Sequence, residues 1–148
     1  MSYVIIPSSN INSTSDSAYG IGLLFSKNGV FNVLYSKDEQ GLESFKNLLL
    51  TFPGERTGKW MNFGCNLKAL LFEQVTDDIK IDINDTIIDA ASVWVPFINI
   101  LSIDIVTAID DPTLDHSIKV LITFNVESSL LQQTIEINAS ETGVITIG

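Results

Sequence analysis

The chain has a single cysteine, Cys65, and a single histidine, His116, in 148 residues. One cysteine can form no intramolecular disulfide, so the fold does not depend on an oxidising compartment. One Cys and one His also offer no zinc set, and the aspartate-rich stretch at 77–89 lacks the glycine-centred spacing of a calcium loop. Neither a metal nor a cofactor is expected. Positive charge is scarce, with 8 Lys and Arg against 18 Asp and Glu and a net charge of -10. That balance argues against binding a phosphate backbone, which needs a Lys/Arg surface, and points to proteins as partners. Much of the acidity has the simpler role of solvating a surface. No apolar run approaches the roughly 18 residues of a membrane span. The opening MSYVIIP has no basic region of the kind that starts a secretory leader. Neither a span nor a leader is expected.

What is present is enough for one domain: a chain of this length usually buries roughly 68–70% of its unfolded surface. Mean hydropathy is +0.29 with 45% apolar residues, high for a charged soluble monomer, which suggests apolar surface covered by neighbours. Residues 1–17 include the polar SSNINSTSDS and read as an arm. Within 18–35, Asn28-Gly29 stands between apolar runs and predicts a β-hairpin, since both residues tolerate positive φ. Residues 36–41 read as a charged loop. Leu42, Phe45, Leu48 and Leu49 then recur at helical spacing until Pro53 stops the helix. Thr76-Asp77-Asp78 opens a further helix with a capping threonine and acidic residues at its positive end. Its predicted buried stripe is Ile79, Ile83, Ile87, Ala90 and Trp94, opposite a solvated face of aspartates.

With a connecting loop, the helical region spans 41–94, and 97–148 reads as strands. Ile98, Ile100, Ile103 and Ile105 alternate with one slip at Leu101 that a β-bulge would absorb. Asp110-Asp111-Pro112 turns the chain. Ile118, Val120, Ile122, Phe124 and Val126 alternate without a break, and Leu121 on the other face suggests partial cover there. Ile135 and Ile137 continue the pattern through 131–138, and Val144 and Thr146 extend it or make a further short strand. Helices in the middle with strands at both ends describe a single α+β domain with an antiparallel or mixed C-terminal sheet.

Residues 51–73, TFPGERTGKWMNFGCNLKALLFE, are the most specific stretch. Pro53-Gly54 fixes a turn, Glu55-Arg56 follows as a charged pair, and Phe63-Gly64 makes a second turn with an aromatic anchor. Asn66 then stands where an N-cap belongs, ahead of Leu67, Leu70, Leu71 and Phe72 on one helical face. This is an ordered corner. The charged pair either pins the loop or meets another protein, and an exposed intrachain pair alone contributes only about 0–1 kcal/mol. Trp60 and Trp94 have the same two uses, core or interface anchor, with Trp94 placed in the core by its stripe.

Catalysis finds little support in these residues. A glycosidase needs two carboxyls roughly 5–9.5 Å apart, one with a raised pKa. Glu55, Glu73, Asp77, Asp78, Asp82, Asp85 and Asp89 are available, but the helical aspartates look solvated, and Arg56 would hold Glu55 ionised, the wrong direction for a general acid. His116 lies between Asp115 and Ser117 in a loop; triad members converge from separated elements, so it reads as an exposed histidine. Cys65 reads as a small buried residue after a turn.

The succession Asn47-Leu48-Leu49-Leu50-Thr51, Pro53 to Arg56, Phe63-Gly64-Cys65, then Leu67, Leu71, Phe72 and Glu73, resembles the baseplate-wedge or sheath-initiator family of contractile phage tails. Its relatives occur in bacterial contractile injection machines and were long labelled lysozyme-like. The similarity covers residues 43–106 well and the ends in general pattern. After the third helix the family usually carries Glu-Pro-Arg, a motif that docks it onto a helical core bundle of neighbouring subunits. Here the corresponding residues are Val95-Pro96-Phe97, preceded by Trp94. An apolar Trp94/Val95/Phe97 contact could replace the ionic one, or Glu55-Arg56 could carry it alone.

The resemblance implies a non-catalytic virion structural protein, located in the tail baseplate and assembled in the host cytoplasm. Its partners would be other wedge proteins and the sheath protein, with tube or hub proteins as further candidates, at six copies or a small multiple. It implies Glu55, Arg56, Phe63, Gly64, Trp94, Val95, Pro96 and Phe97 as partner-binding residues on one face. It also implies an open edge among the C-terminal strands, 117–126 and 131–148, at Ile135 and Ile137, that pairs with a sheath strand. The alternative activity is a peptidoglycan hydrolase used in wall penetration.

Overall fold

The structure, a computed structural model, describes residues 18–25, 31–71, 77–107, 110–111, 114, 117–127, 129–139 and 145–148. The expected arm at 1–17, the Asn28-Gly29 turn, the Thr76 cap and the His116 loop lie outside these residues. Strands β1 (Gly20–Phe25) and β2 (Phe31–Leu34) pair antiparallel, Gly20 opposite Leu34 and Phe25 opposite Phe31, as a hairpin requires. The Leu23 N–H donates to the Glu43 carboxylate at 2.9 Å, tying β1 to the helix that follows.

That helix, α1 (Lys37–Leu50), begins earlier than the leucine spacing predicts. Ser36 is the reason: its hydroxyl accepts from the Asp38 N–H at 3.2 Å, and Asp38 and Glu39 occupy the positive end of the helix. The charged residues taken for a loop are thus a capped first turn. At the other end the Thr51 hydroxyl donates to the Asn47 carbonyl, 2.6 Å, just ahead of Pro53.

Helix α2 is short (Leu67–Leu71), and α3 runs Asp77–Trp94. The buried side of α3 is Ile79, Ile83, Ile87 and Ala91, with Val95 beyond its end, whereas Ala90 and Trp94 are half-buried. The expected stripe is therefore displaced by one position at its C-terminal end. Small Ala91 turns toward the following strand, and Trp94 is drawn sideways onto other aromatics. Asp78, Asp82, Asp85 and Asp89 are exposed, as expected.

The C-terminal strands, β3 (Ile98–Val106), β4 (Ile118–Val126), β5 (Gln132–Ala139) and β6 (Ile145–Ile147), form one sheet in chain order, with every neighbouring pair antiparallel. Pairing passes from Ile100–Phe124 to Ser102–Thr123, so Leu101 is the bulged residue its alternation predicts. All five alternating residues of β4 are buried, and Leu121 on the opposite face is half-covered. Helix α1 crosses β4 closely: Phe45 and Phe124, both fully buried, meet edge to face at 5.0 Å, and Gly41 rests on Val126.

The connection after β3 is held from three sides. Buried Thr107 donates both its N–H (3.0 Å) and its hydroxyl (2.9 Å) to the Asp110 carboxylate, and Lys80 of α3 reaches the same oxygen at 2.7 Å. The Lys80 bond, then the two Thr107 bonds, pull the Asp110 pKa from 3.8 down to about 2. The folded state thus favours the ionised carboxylate. Its contribution is complete above about pH 4 and is lost as the pH falls toward 2. Asp110→Asn should melt lower at neutral pH and lose less stability between pH 4 and 2 than the wild type, measured by calorimetry across that range.

A second test addresses Gly41. Replacing a mid-helix glycine by alanine ordinarily stabilises by about 1 kcal/mol. Here the added Cβ would stand 2.5 Å from a methyl of Val126, whose branched side chain has little freedom to move. Gly41→Ala should instead destabilise, by about 1–3 kcal/mol, and Val126→Ala in the same chain should recover part of the loss in a denaturant titration.

Candidate docking surface

Residues 52–64 form a closed loop between α1 and α2. The Thr51 carbonyl accepts the Cys65 N–H at 2.9 Å, so the two ends meet. Inside, the Gly54 N–H donates to Met61 (2.7 Å), the Glu55 N–H to Phe52 (3.1 Å) and the Phe63 N–H to Trp60 (3.0 Å). A single 3₁₀ turn, Gly58–Trp60, carries the chain around the far side. Gly64 seals the closure: its φ is +137°, and a Cβ there would come within 2.4 Å of the Thr51 carbonyl oxygen. It is buried, so its role in this chain is to let the loop close. Gly58 also has positive φ, +86°, but faces open space.

Glu55 and Arg56 do not pair with each other. The Glu55 carboxylate turns back and accepts the Phe52 N–H at 3.1 Å, capping its own turn. The Arg56 guanidinium lies over the Phe63 ring, 3.9 Å from its centroid. Phe63 in turn meets Trp94 edge-on at 5.3 Å, and Trp94 meets Trp60 at 6.1 Å. Arg56, Phe63, Trp94 and Trp60 therefore form one continuous cation–aromatic cluster that joins the loop to the end of α3. Trp60 is 60% exposed and Met61 55%, so the cluster reaches the surface there. Trp60 joins it through the 3₁₀ turn, whose sequence mark is Gly58 two residues earlier.

The remaining predicted residues are divided. Val95 is buried in the core, Pro96 is exposed, and half-buried Phe97 lines a cleft of about 250 Å³ with Tyr19, Lys37, Gln40, Val126 and Glu127. Of the Trp94-to-Phe97 turn, Trp94 alone belongs to the cation–aromatic cluster. Ile135 and Ile137 are fully buried on β5, and neither side chain reaches a surface. The backbone of Glu136 pairs with Gly148 on the β6 side, so Ile135 and Ile137 direct their own backbone groups toward β4.

Among the described residues the sheet ends on short β6 at one side and on long β3 at the other, whose sequence INILSIDIV has no lysine or proline to discourage pairing. Beside it run two clefts, of about 390 and 380 Å³, bounded on the α3 side by Ile81, Asn84 and Ile88 and on the strand side by Ile100, Leu101, Ile103 and Ile105. Ile81 and Ile88 form a second apolar face of α3, next to its buried stripe. Among the described residues neither cleft is lined by a carboxylate. Among the described residues no group of three or more His, Cys, Asp or Glu is arranged to hold a metal. Cys65 is buried as expected, and burial pushes its thiol up to about 11.

No family model matches the sequence, and no curated protein matches it. Several solved chains share the fold, among them the following two. One is the crystal structure of a protein from Geobacter sulfurreducens provisionally named a tail lysozyme, with a TM-score of 0.60 and 23% identity, covering 72% of this chain and 93% of that one. The other is a chain of the sixfold-symmetrised baseplate of the anti-feeding prophage, with a TM-score of 0.51 and 18% identity, covering 88% of this chain and 80% of that one.

Replacing the loop glycines separates closure from tolerance. Gly64→Ala should lower stability by about 2 kcal/mol or more, through strain at positive φ plus the clash with Thr51. Gly58→Ala should cost about 1–2 kcal/mol for the backbone alone. Equal losses for the two in denaturant titrations would show that the closure is not tight.

Proposed function

We propose that this chain is a structural subunit of a contractile-tail or injection-machine baseplate, where it docks to neighbouring wedge proteins and offers the first attachment for the sheath. The observation that carries the reading is the shared fold with a baseplate chain over 88% of this chain. The surface chemistry agrees with it. An acidic protein with a rigid cation–aromatic corner and a long apolar sheet edge is equipped to hold other proteins, and fixed charges on a rigid loop serve recognition better than packing. The chain would occupy the baseplate in six copies or a small multiple, with no catalytic step.

In this reading the sheath contributes an extended strand to the edge of β3, its alternate side chains entering the clefts against Ile88 and Leu101. This replaces Ile135 and Ile137, which are committed to the core and to β4. Ile88 and Leu101 are 44% and 50% exposed, so a double Ile88→Lys, Leu101→Lys protein should fold. It should enter baseplates yet leave the sheath short or absent in electron micrographs. Sheaths of normal length on particles containing the variant would refute the β3 assignment.

The wider reading is tested by mass spectrometry of purified tail or injection particles, in which this chain should be present at fixed stoichiometry. The tail-lysozyme name of one fold neighbour motivates the alternative, a peptidoglycan hydrolase. A turbidity assay on purified cell walls decides it. Clearing by the wild-type chain, abolished by Glu55→Gln, would replace the structural reading.

A further inference from the structure

Arg56 is the only arginine in the chain, which carries 18 acidic residues. In such a chain an arginine would be expected to find an internal carboxylate. Glu55, its neighbour, is occupied at the Phe52 N–H, and among the described residues no carboxylate or carbonyl accepts from the Arg56 guanidinium. Stacking on Phe63 at 3.9 Å holds the planar group in place while leaving the in-plane N–H donors at its rim unused. On the same loop stand Trp60, two rings further along the cluster, and Met61, both exposed, large and apolar. A fixed guanidinium sharing one closed loop with a tryptophan and a methionine has the composition of a protein-binding hot spot, with the entropy cost of ordering the arginine already met by the fold.

We infer that this corner is a socket for an acidic side chain of a partner protein: an Asp or Glu carboxylate accepts two parallel N–H bonds from Arg56, and apolar residues flanking that carboxylate cover Trp60 and Met61. Charge complementarity selects this occupant, because the socket offers one fixed guanidinium, not a track of cations, on a chain of net charge -10. A nucleic acid would need a track of cations and would be repelled by the rest of the surface. Bidentate geometry also separates arginine from lysine here, since an ammonium can neither stack as a plane nor fork two bonds. The inference rests on the baseplate reading for its partner, and it divides the work of the charged pair: Glu55 braces the loop and Arg56 alone meets the neighbour.

The experiment compares particles from producing cells that carry wild type, Arg56→Met, Arg56→Lys, Arg56→Glu or, as a nearby charge control, Lys59→Met. The chain is quantified per particle, and each purified variant is melted. Arg56→Met keeps an apolar cover on Phe63, so it should melt within a few degrees of wild type yet enter particles at least about tenfold less. Arg56→Lys should recover entry only in part, and Lys59→Met should enter normally. Suppressors of Arg56→Glu should change an Asp or Glu to Lys or Arg in one partner subunit. Wild-type entry of Arg56→Met overturns the socket and leaves the baseplate reading standing. So does a melting loss in Arg56→Met that accounts for its poor entry, or suppressors confined to this chain. Absence of the wild-type chain from particles overturns the baseplate reading itself, and the socket with it.

Discussion

The close crossing of α1 over β4 is the contact on which the rest of the molecule depends. Gly41 lets the helix backbone approach Val126, and one turn further along Phe45 meets Phe124 ring edge to ring face. Both phenylalanines are fully buried, and a core phenylalanine of this kind typically contributes about 3–5 kcal/mol relative to alanine. Because β4 is paired on both sides, to β3 and to β5, fixing α1 on it fixes the whole sheet relative to the helices. A larger residue at position 41 would lift the helix and loosen every contact downstream.

The cation–aromatic corner inherits its rigidity from that crossing. Helix α1 ends at Leu50, the Thr51 carbonyl closes the loop onto Cys65, and α2 begins two residues later. Cys65 itself is sealed beneath, with its thiol directed at the Thr86 carbonyl of α3 at 3.8 Å. Core packing thus runs without a break from the sheet through α1 and α3 to the base of the loop, from which half-buried Arg56 and exposed Trp60 and Met61 emerge. A loop whose ends and base are fixed can hold a charged group in one orientation, which is the requirement for recognising a planar partner.

Much of this was legible in the sequence wherever a period is imposed by burial. The unbroken alternation of β4 and the slip at Leu101 are direct images of a sheet with one face in the core, and the structure places both as read. Legibility failed where a local hydrogen bond competed with a pattern. Ser36 turned a charged loop into the first turn of α1, a cap that the leucine spacing does not register. Ala91 took the place of Ala90 because an aromatic cluster outside the helix claimed Trp94. The sequence neighbours Glu55 and Arg56 suggested a pair, but adjacency says nothing of side-chain direction in a turn, and a free backbone N–H at Phe52 was the nearer partner for the carboxylate. The alternation through Ile135 and Ile137 marked a strand correctly, yet strand order, which decides where a sheet is open, is not written in any strand's own residues.

The aromatic cluster has an optical consequence. The chain contains two tryptophans, Trp60 and Trp94, and both indoles belong to this one corner, 6.1 Å apart. Its near-ultraviolet emission is therefore dominated by a single surface point, shielded on one side by Phe63 and open to water at Trp60. Anything that covers the corner removes water from that indole and moves the emission to shorter wavelength, and anything that opens the loop does the reverse. The unlabelled protein reports in its own light whether this corner is closed, open or covered.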